Sequence, residues 1–145
     1  MSTSSTKWAR DFKENDPAGY KLYMKQKYEK RVNAINSDPL TYAKNKFAKQ
    51  RSGANRRGLA WNLSLGQVTK LVTETKHCSI SGRPLVLEIN HPDSPSLDRI
   101  DNRYGYSAKN VQVVSAELNK ARLDLSVDDF VKMCVDVARH FGHVK

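Results

Sequence analysis

The chain has 145 residues, 39% hydrophobic and 28% charged, with a formal net charge of +10; this fits one domain, or one small core with an extension. No apolar run is long enough to span a bilayer, and the start, MSTSSTKWARDFKEND, lacks the apolar stretch of a secretory signal. Two cysteines, Cys78 and Cys134, are too few for a disulfide framework and are expected as free, partly buried thiols of a soluble protein in a reducing intracellular compartment.

The charge is held unevenly. Residues 1–57 carry 14 Lys/Arg against 5 Asp/Glu, and residues 58–145 carry 11 against 10. The basic segment also holds Tyr20, Tyr23, Tyr28, Tyr42 and Phe47 among its cations. A charge run is ordinarily a solvated helical face, but a surplus this concentrated favours a polyanion, nucleic acid ahead of an anionic membrane.

In chain order, Asp16-Pro17 sets a cap before a proline at the first helical position, and Asp38-Pro39 repeats it. Tyr20, Tyr23, Met24, Tyr28, Val32 and Ile35 recur at helical spacing after the first, and Leu40, Ala43, Phe47 and Ala54 after the second. Lys44, Lys46, Lys49, Arg51, Arg56 and Arg57 are the cations of that second stretch, most of them off its apolar stripe. These two helices read as a basic arm, residues 1–57, for the DNA backbone, with the core stripes of residues 58–145 lying elsewhere. In LSLGQV, Ser64 and Gln67 have capping-box spacing and Leu63 and Val68 staple spacing, which opens a helix running to about Thr75.

From Cys78 onward CSISGRP reads as a turn, LVLEI as β-prone, NHPDSPS as a loop, SLDRI as a strand, NRYGY as a turn and NVQVV as a second strand. SAELNKAR opens a helix at Ser115. Ser126 caps a last helix whose Phe130, Met133, Cys134, Val137, Ala138 and Phe141 share one face and are expected to pack as core, with Gly142 ending it.

A strand, turn, strand and short helix within about thirty residues make a ββα unit. Asp98 falls on its first strand, Asn110 before the second and Asn119 on the helix. Asp98 offers an anionic oxygen and Asn119 a neutral amide oxygen, a set that suits Mg²⁺ or Mn²⁺ with positions left for waters and a phosphate. Asn110 is suited to a catalytic supporting role, its amide tying the loop and orienting the base. Taken singly, the three residues read better as a turn cap, an Asx-turn and a surface helix position; it is the three together at these intervals that favour a metal site.

Together these residues resemble the HNH, or ββα-metal, endonucleases. That resemblance implies an α+β fold: a ββα-metal core with basic N-terminal helices and a C-terminal packing helix, residues 58–145 being the nuclease domain. RRGLAWNLS, C-x-x-S-G and S-x-D-R-I-D are similar to the small free-standing HNH proteins of bacteriophages, some of them homing endonucleases; a phage origin would place the protein in the cytoplasm of a bacterial host. The resemblance implies a metal-dependent DNA endonuclease with Asp98 and Asn119 as metal ligands, and Lys120 and Arg122 as further contacts to double-stranded DNA. Many members wrap a structural zinc with two C-x-x-C pairs; here three of the four thiolates are missing, so no structural zinc is expected.

The family base, a histidine after the strand aspartate, is Arg99 here. Arginine does not deprotonate, so Arg99 is expected to clamp a phosphate or stabilise transition-state charge. The base could be His91, whose neutral imidazole would be competent near pH 7, or Asp101. Attack could also proceed from a water on the metal without a dedicated base, or the chain could be a non-catalytic nucleic-acid-binding protein with a vestigial core. An RNA-binding factor is a more distant reading. Oligomeric state, target sequence and strand preference are not legible.

Overall fold

The structure, a computed structural model, describes residues 4–145, so the first three residues of the N-terminal stretch read above lie outside it. Helices α1 (Ser4–Asn15), α2 (Pro17–Asn36) and α3 (Pro39–Arg56) come first. Asp16 and Asp38 cap α2 and α3 as the Asp-Pro pairs predict, accepting from the backbone N–H of Gly19 and Thr41. α1 was not foreseen; Trp8 and Phe12 on it stack edgewise or tilted against Tyr20 and Tyr23 of α2, a small aromatic cluster of its own.

Next come β1 (Trp61–Asn62) and α4 (Leu65–Glu74), the latter opened by the full capping box of Ser64 and Gln67. β2 (Pro95–Arg99) and β4 (Val111–Ser115) form an antiparallel pair in which Asp98 faces Gln112. Between them β3 (Tyr106–Ser107) pairs in parallel with β1, a strand the sequence did not disclose. The backbone at Gly105 lies so close to β1 that a Cβ there would sit 2.3 Å from the Ala60 carbonyl oxygen, so this position requires glycine. α5 (Ala116–Arg122), capped by Ser115, packs on both β2 and β4, and α6 (Val127–His140) follows. The chain is thus α+β, with β2, β4 and α5 in a ββα arrangement.

Three sequence expectations are corrected by the packing. LVLEI forms no strand: Leu85, Leu87 and Ile89 turn toward the core, but the Val86 N–H bonds the Asp93 carbonyl and the Ile89 N–H bonds Asn36 Oδ1 instead of a neighbouring ladder. α6 is not a packing helix along its length. Phe130 is buried, whereas Val131, Met133, Val137 and Phe141 are exposed, as is Cys134; Cys78 is the buried thiol. The main buried cluster is closed by α3 and α4 and takes in no residue of α6.

That closure is the third correction. Tyr42, Ala43 and Ala54 of α3 share one buried cluster with Val68 and Val72 of α4, Leu97 of β2, and Val111 and Val113 of β4. Burying one such aliphatic side chain contributes about 1.5–3 kcal/mol. α3 therefore belongs to the core of residues 58–145 and residue 57 is no boundary in the packing. The turn at Cys78 holds its shape through its own hydrogen bonds, Cys78 N–H to Arg83 O at 2.8 Å and Gly82 N–H to Cys78 O at 2.9 Å, and the Ser81 N–H donates to Cys78 Sγ. Among the described residues no helix is long and apolar enough to cross a membrane.

Candidate functional site

Asp98 lies on the face of β2 that meets α5, 4% exposed. Both its oxygens are engaged: Gln112 Nε2, across the strand pair, donates to Oδ2 at 3.0 Å, and Arg122 Nη2 donates to Oδ1 at 2.5 Å. Arg122 is fully buried. Its guanidinium also donates to the carbonyls of Arg99 and Leu125. The expectation that Arg122 contacts DNA is therefore wrong: it is the internal counter-charge of Asp98. Lys120, two residues earlier on the same helix, stays exposed.

Asn119 donates from Nδ2 to Ser96 Oγ at 2.8 Å, which commits the amide nitrogen to β2 and leaves the oxygen as the end available to a cation. Asp98 and Asn119 line one cavity of about 350 Å³ together with Arg99, Lys120, Gln50 and Arg57. Each oxygen of Asp98 accepts one hydrogen bond, so each retains a lone pair. One anionic and one neutral oxygen with open positions fit a hard divalent cation completed by water and phosphate. Among the described residues no group of three or more His, Cys, Asp or Glu is gathered as a metal site, so any cation here would draw most of its coordination from outside the protein.

Gln50 was not singled out by sequence. Its Nε2 donates to the Leu97 carbonyl at 3.1 Å and its Oε1 accepts from the Leu97 N–H at 3.2 Å, so the amide continues the edge of β2 one residue from Asp98. The signal was available as spacing: Lys46, Gln50 and Gly53 of α3 and its C-cap Arg57 recur at four, three and four residues, one stripe that faces the cavities.

Asn110 ties the loop between β2 and β4. Its Oδ1 accepts from the Asp101 N–H at 2.9 Å, and its Nδ2 donates to the carbonyls of Asp101 at 3.0 Å and Gly105 at 2.9 Å. Arg99 does similar work from inside: Nη1 donates to the Asn102 and Tyr104 carbonyls, and the guanidinium lies over the Tyr106 ring. One of its nitrogens is thus spent on the loop, while the charge still borders the cavity.

The two side-chain candidates for the base are placed elsewhere. Asp101 is held by Arg103 at 2.7 Å, and those hydrogen bonds keep its carboxyl below the usual carboxylate range; it borders a different cavity, with Asn110. His91 Nδ1 accepts the Asp93 N–H at 3.1 Å, which puts the proton of the neutral ring on Nε2 and uses its lone pair. His91 also faces a second cleft that adjoins the first across Gln50, Asn119 and Lys120.

Of the cations expected on DNA, Lys44, Lys49, Arg51 and Arg56 are exposed on α3, and Arg57 follows it. Arg57 also donates to Tyr106 Oη at 3.1 Å, and Arg51 lies over Phe47. Lys46 is partly buried, its ammonium 3.3 Å from Ser94 Oγ and 5.5 Å from the Tyr42 ring centroid.

No family profile matches the chain. It is 28% identical over 115 residues to the uncharacterized protein R423 of Acanthamoeba polyphaga mimivirus, covering 79% of this chain and 19% of that one. Over 98 residues it is 26% identical to an uncharacterized 29.0 kDa protein in the dda-modA intergenic region of Enterobacteria phage T4, covering 68% of this chain and 39% of the other. The chain thus spans about a fifth and two fifths of the length of these viral relatives. Among solved structures, the rare-cutting HNH restriction endonuclease PacI superposes with a TM-score of 0.52 over 68% of this chain and 78% of that one. At 16% identity the likeness is one of fold.

Proposed function

We propose that the chain is a metal-dependent DNA endonuclease of the HNH type, hydrolysing phosphodiester bonds. The observation that carries this reading is the convergence of Asp98 from β2 and Asn119 from α5 on one cavity bordered by Arg57, Arg99 and Lys120. The fold likeness to a DNA-cutting HNH enzyme supports it. Asp98 and Asn119 would hold Mg²⁺ or Mn²⁺, which when bound supplies polarisation of the phosphate and stabilisation of the departing oxygen. The three cations hold the anionic substrate against the cavity, and Arg122 and Gln112 fix the Asp98 carboxylate in one rotamer. Asn110 and Arg99 keep the loop over the cavity closed on itself. No side chain is assigned as general base: water attacks without one.

Plasmid nicking with added Mg²⁺ or Mn²⁺, and its loss in EDTA, tests the reading. EDTA should leave the melting temperature in place, because the Cys78 turn is closed by protein hydrogen bonds. Asn119→Ala should slow nicking by about 10²-fold with duplex binding unchanged, since a positioned neutral ligand is lost. His91→Ala should cut within a few-fold of the wild-type rate from about pH 6 to about pH 9; a loss of about 10²–10⁴-fold would restore it as the base.

A second reading rests on one observation. Asp98 is already bound by Arg122 and Gln112, an arrangement that also serves a purely structural ion pair. A protein that binds duplex DNA and never nicks it under either metal would be this non-catalytic nucleic-acid-binding form.

A further inference from the structure

The second cleft, of about 730 Å³ between α3 and α5, is where cations gather without an answering charge. Lys46, Lys49 and Lys120 line it with His91, Ser94 and Ser96. None of the three lysines is ion-paired within the described chain: its salt bridges engage other cations. The one carboxylate lining the cleft, Glu117, is 3.5 Å from Arg83. Lys46 is the most enclosed of the three, and its one hydrogen bond goes to the Ser94 hydroxyl. Burying an ammonium without a counterion is costly, and a fold retains such a group where an incoming anion completes it.

We propose that this cleft seats a backbone phosphate of the DNA strand adjacent to the one held over Asp98 and Asn119, with Lys46, Lys49 and Lys120 as its cations. The proposal rests on the reading that DNA is the substrate, and it follows from the shared wall of Gln50, Asn119 and Lys120 that makes the two sites neighbours along one strand.

A measurable linkage follows. Burial, then Lys49 and Lys120, pushes Lys46 down to about 8. Its other charged or titratable neighbours are His91, Glu117 and the Tyr42 ring; burial raises Tyr42, so its hydroxyl stays neutral. A docked phosphate favours the ammonium and restores it toward its ordinary value. Binding therefore takes up a proton above about pH 8 and none below it. For folding the sign is opposite: the native state holds this proton less tightly than the unfolded chain, so the cost of Lys46 is fully present below about pH 8 and fades as pH rises toward 10.5.

The test is duplex oligonucleotide binding by fluorescence anisotropy in EDTA, where nothing is cut, from about pH 7 to about pH 9.5, with thermal melting of the same samples. Wild-type affinity should hold to about pH 8 and then fall by up to about tenfold per pH unit. Lys46→Arg, charged throughout, should bind with no such fall. Lys46→Met should bind about tenfold more weakly at pH 7, lose about one unit of salt dependence, and melt higher because the buried charge is gone. Lys46→Met binding like wild type, or keeping the wild-type pH slope, would overturn the site. If nicking fails while the pH slope is present, the nuclease reading falls and the phosphate site stands; nicking with no slope gives the reverse.

Discussion

Replacing Asp98 by alanine is expected to abolish nicking and to destabilise the protein in the same stroke. The carboxylate is both the anionic ligand of the proposed cation and the counter-charge of Arg122, which is fully buried. Removing one partner of a buried pair leaves an uncompensated charge, a cost of about 3–5 kcal/mol. Asp98→Asn keeps an acceptor for Arg122 and should lose less stability while remaining equally inactive. Asp98→Leu combined with Arg122→Met removes both charges and should recover much of the lost stability with no return of nicking. Chemical denaturation with plasmid nicking on the four proteins separates the two roles. An inactive Asp98→Asn with wild-type stability, or an active Asp98→Ala, would contradict one role each.

The other large effect concerns where the chain can be cut back. Starting the chain at Gly58 removes Ile35, Tyr42, Ala43 and Ala54 from the buried cluster and Gln50 from the edge of β2. Ile35 and Tyr42 contribute about 1.5–3 kcal/mol each and the two alanine methyls about 0.8 kcal/mol each, a loss comparable to the roughly 5–15 kcal/mol by which domains are stable. That fragment is expected to be unfolded by circular dichroism. A chain starting at Arg31 keeps Ile35, Asn36 and all of α3, and should melt cooperatively. It should still bind duplex DNA, because Lys44, Lys46, Lys49, Arg51, Arg56 and Arg57 remain. A folded 58–145 fragment would show that α3 is dispensable to the core.

Sequence signals that act over one turn were read correctly. The Asp-Pro caps, the Ser64–Gln67 box and the Ser115 cap each name their own hydrogen-bond partner within a few residues. What escaped depends on which element arrives from elsewhere. Lys120 and Arg122 are equivalent as letters on a seven-residue helix; only the position of Asp98 decides that one is solvated and the other sealed inside. The stripe on α6 has the same amphipathic pattern whether or not a partner covers it, so the pattern could not report the exposure of Met133, Val137 and Phe141. Gln50 reads as a surface residue until α3 lies along β2. Leu85, Leu87 and Ile89 alternate as a strand would, yet their backbone bonds go to a loop carbonyl and a side chain.

The long reach of these partners also orders events during synthesis. Chains fold from the N-terminus as they emerge, and α3 leaves the ribosome well before the strand it must flank. Gln50 waits for Leu97 and Arg57 for Tyr106, while the charge that balances Asp98 comes only with Arg122. A nascent chain interrupted before that residue carries the full set of basic helices but neither Asn119 nor Arg122, or only one of them. On the proposed function, such a fragment would keep the cations that hold nucleic acid but lack the assembled cavity that cuts it.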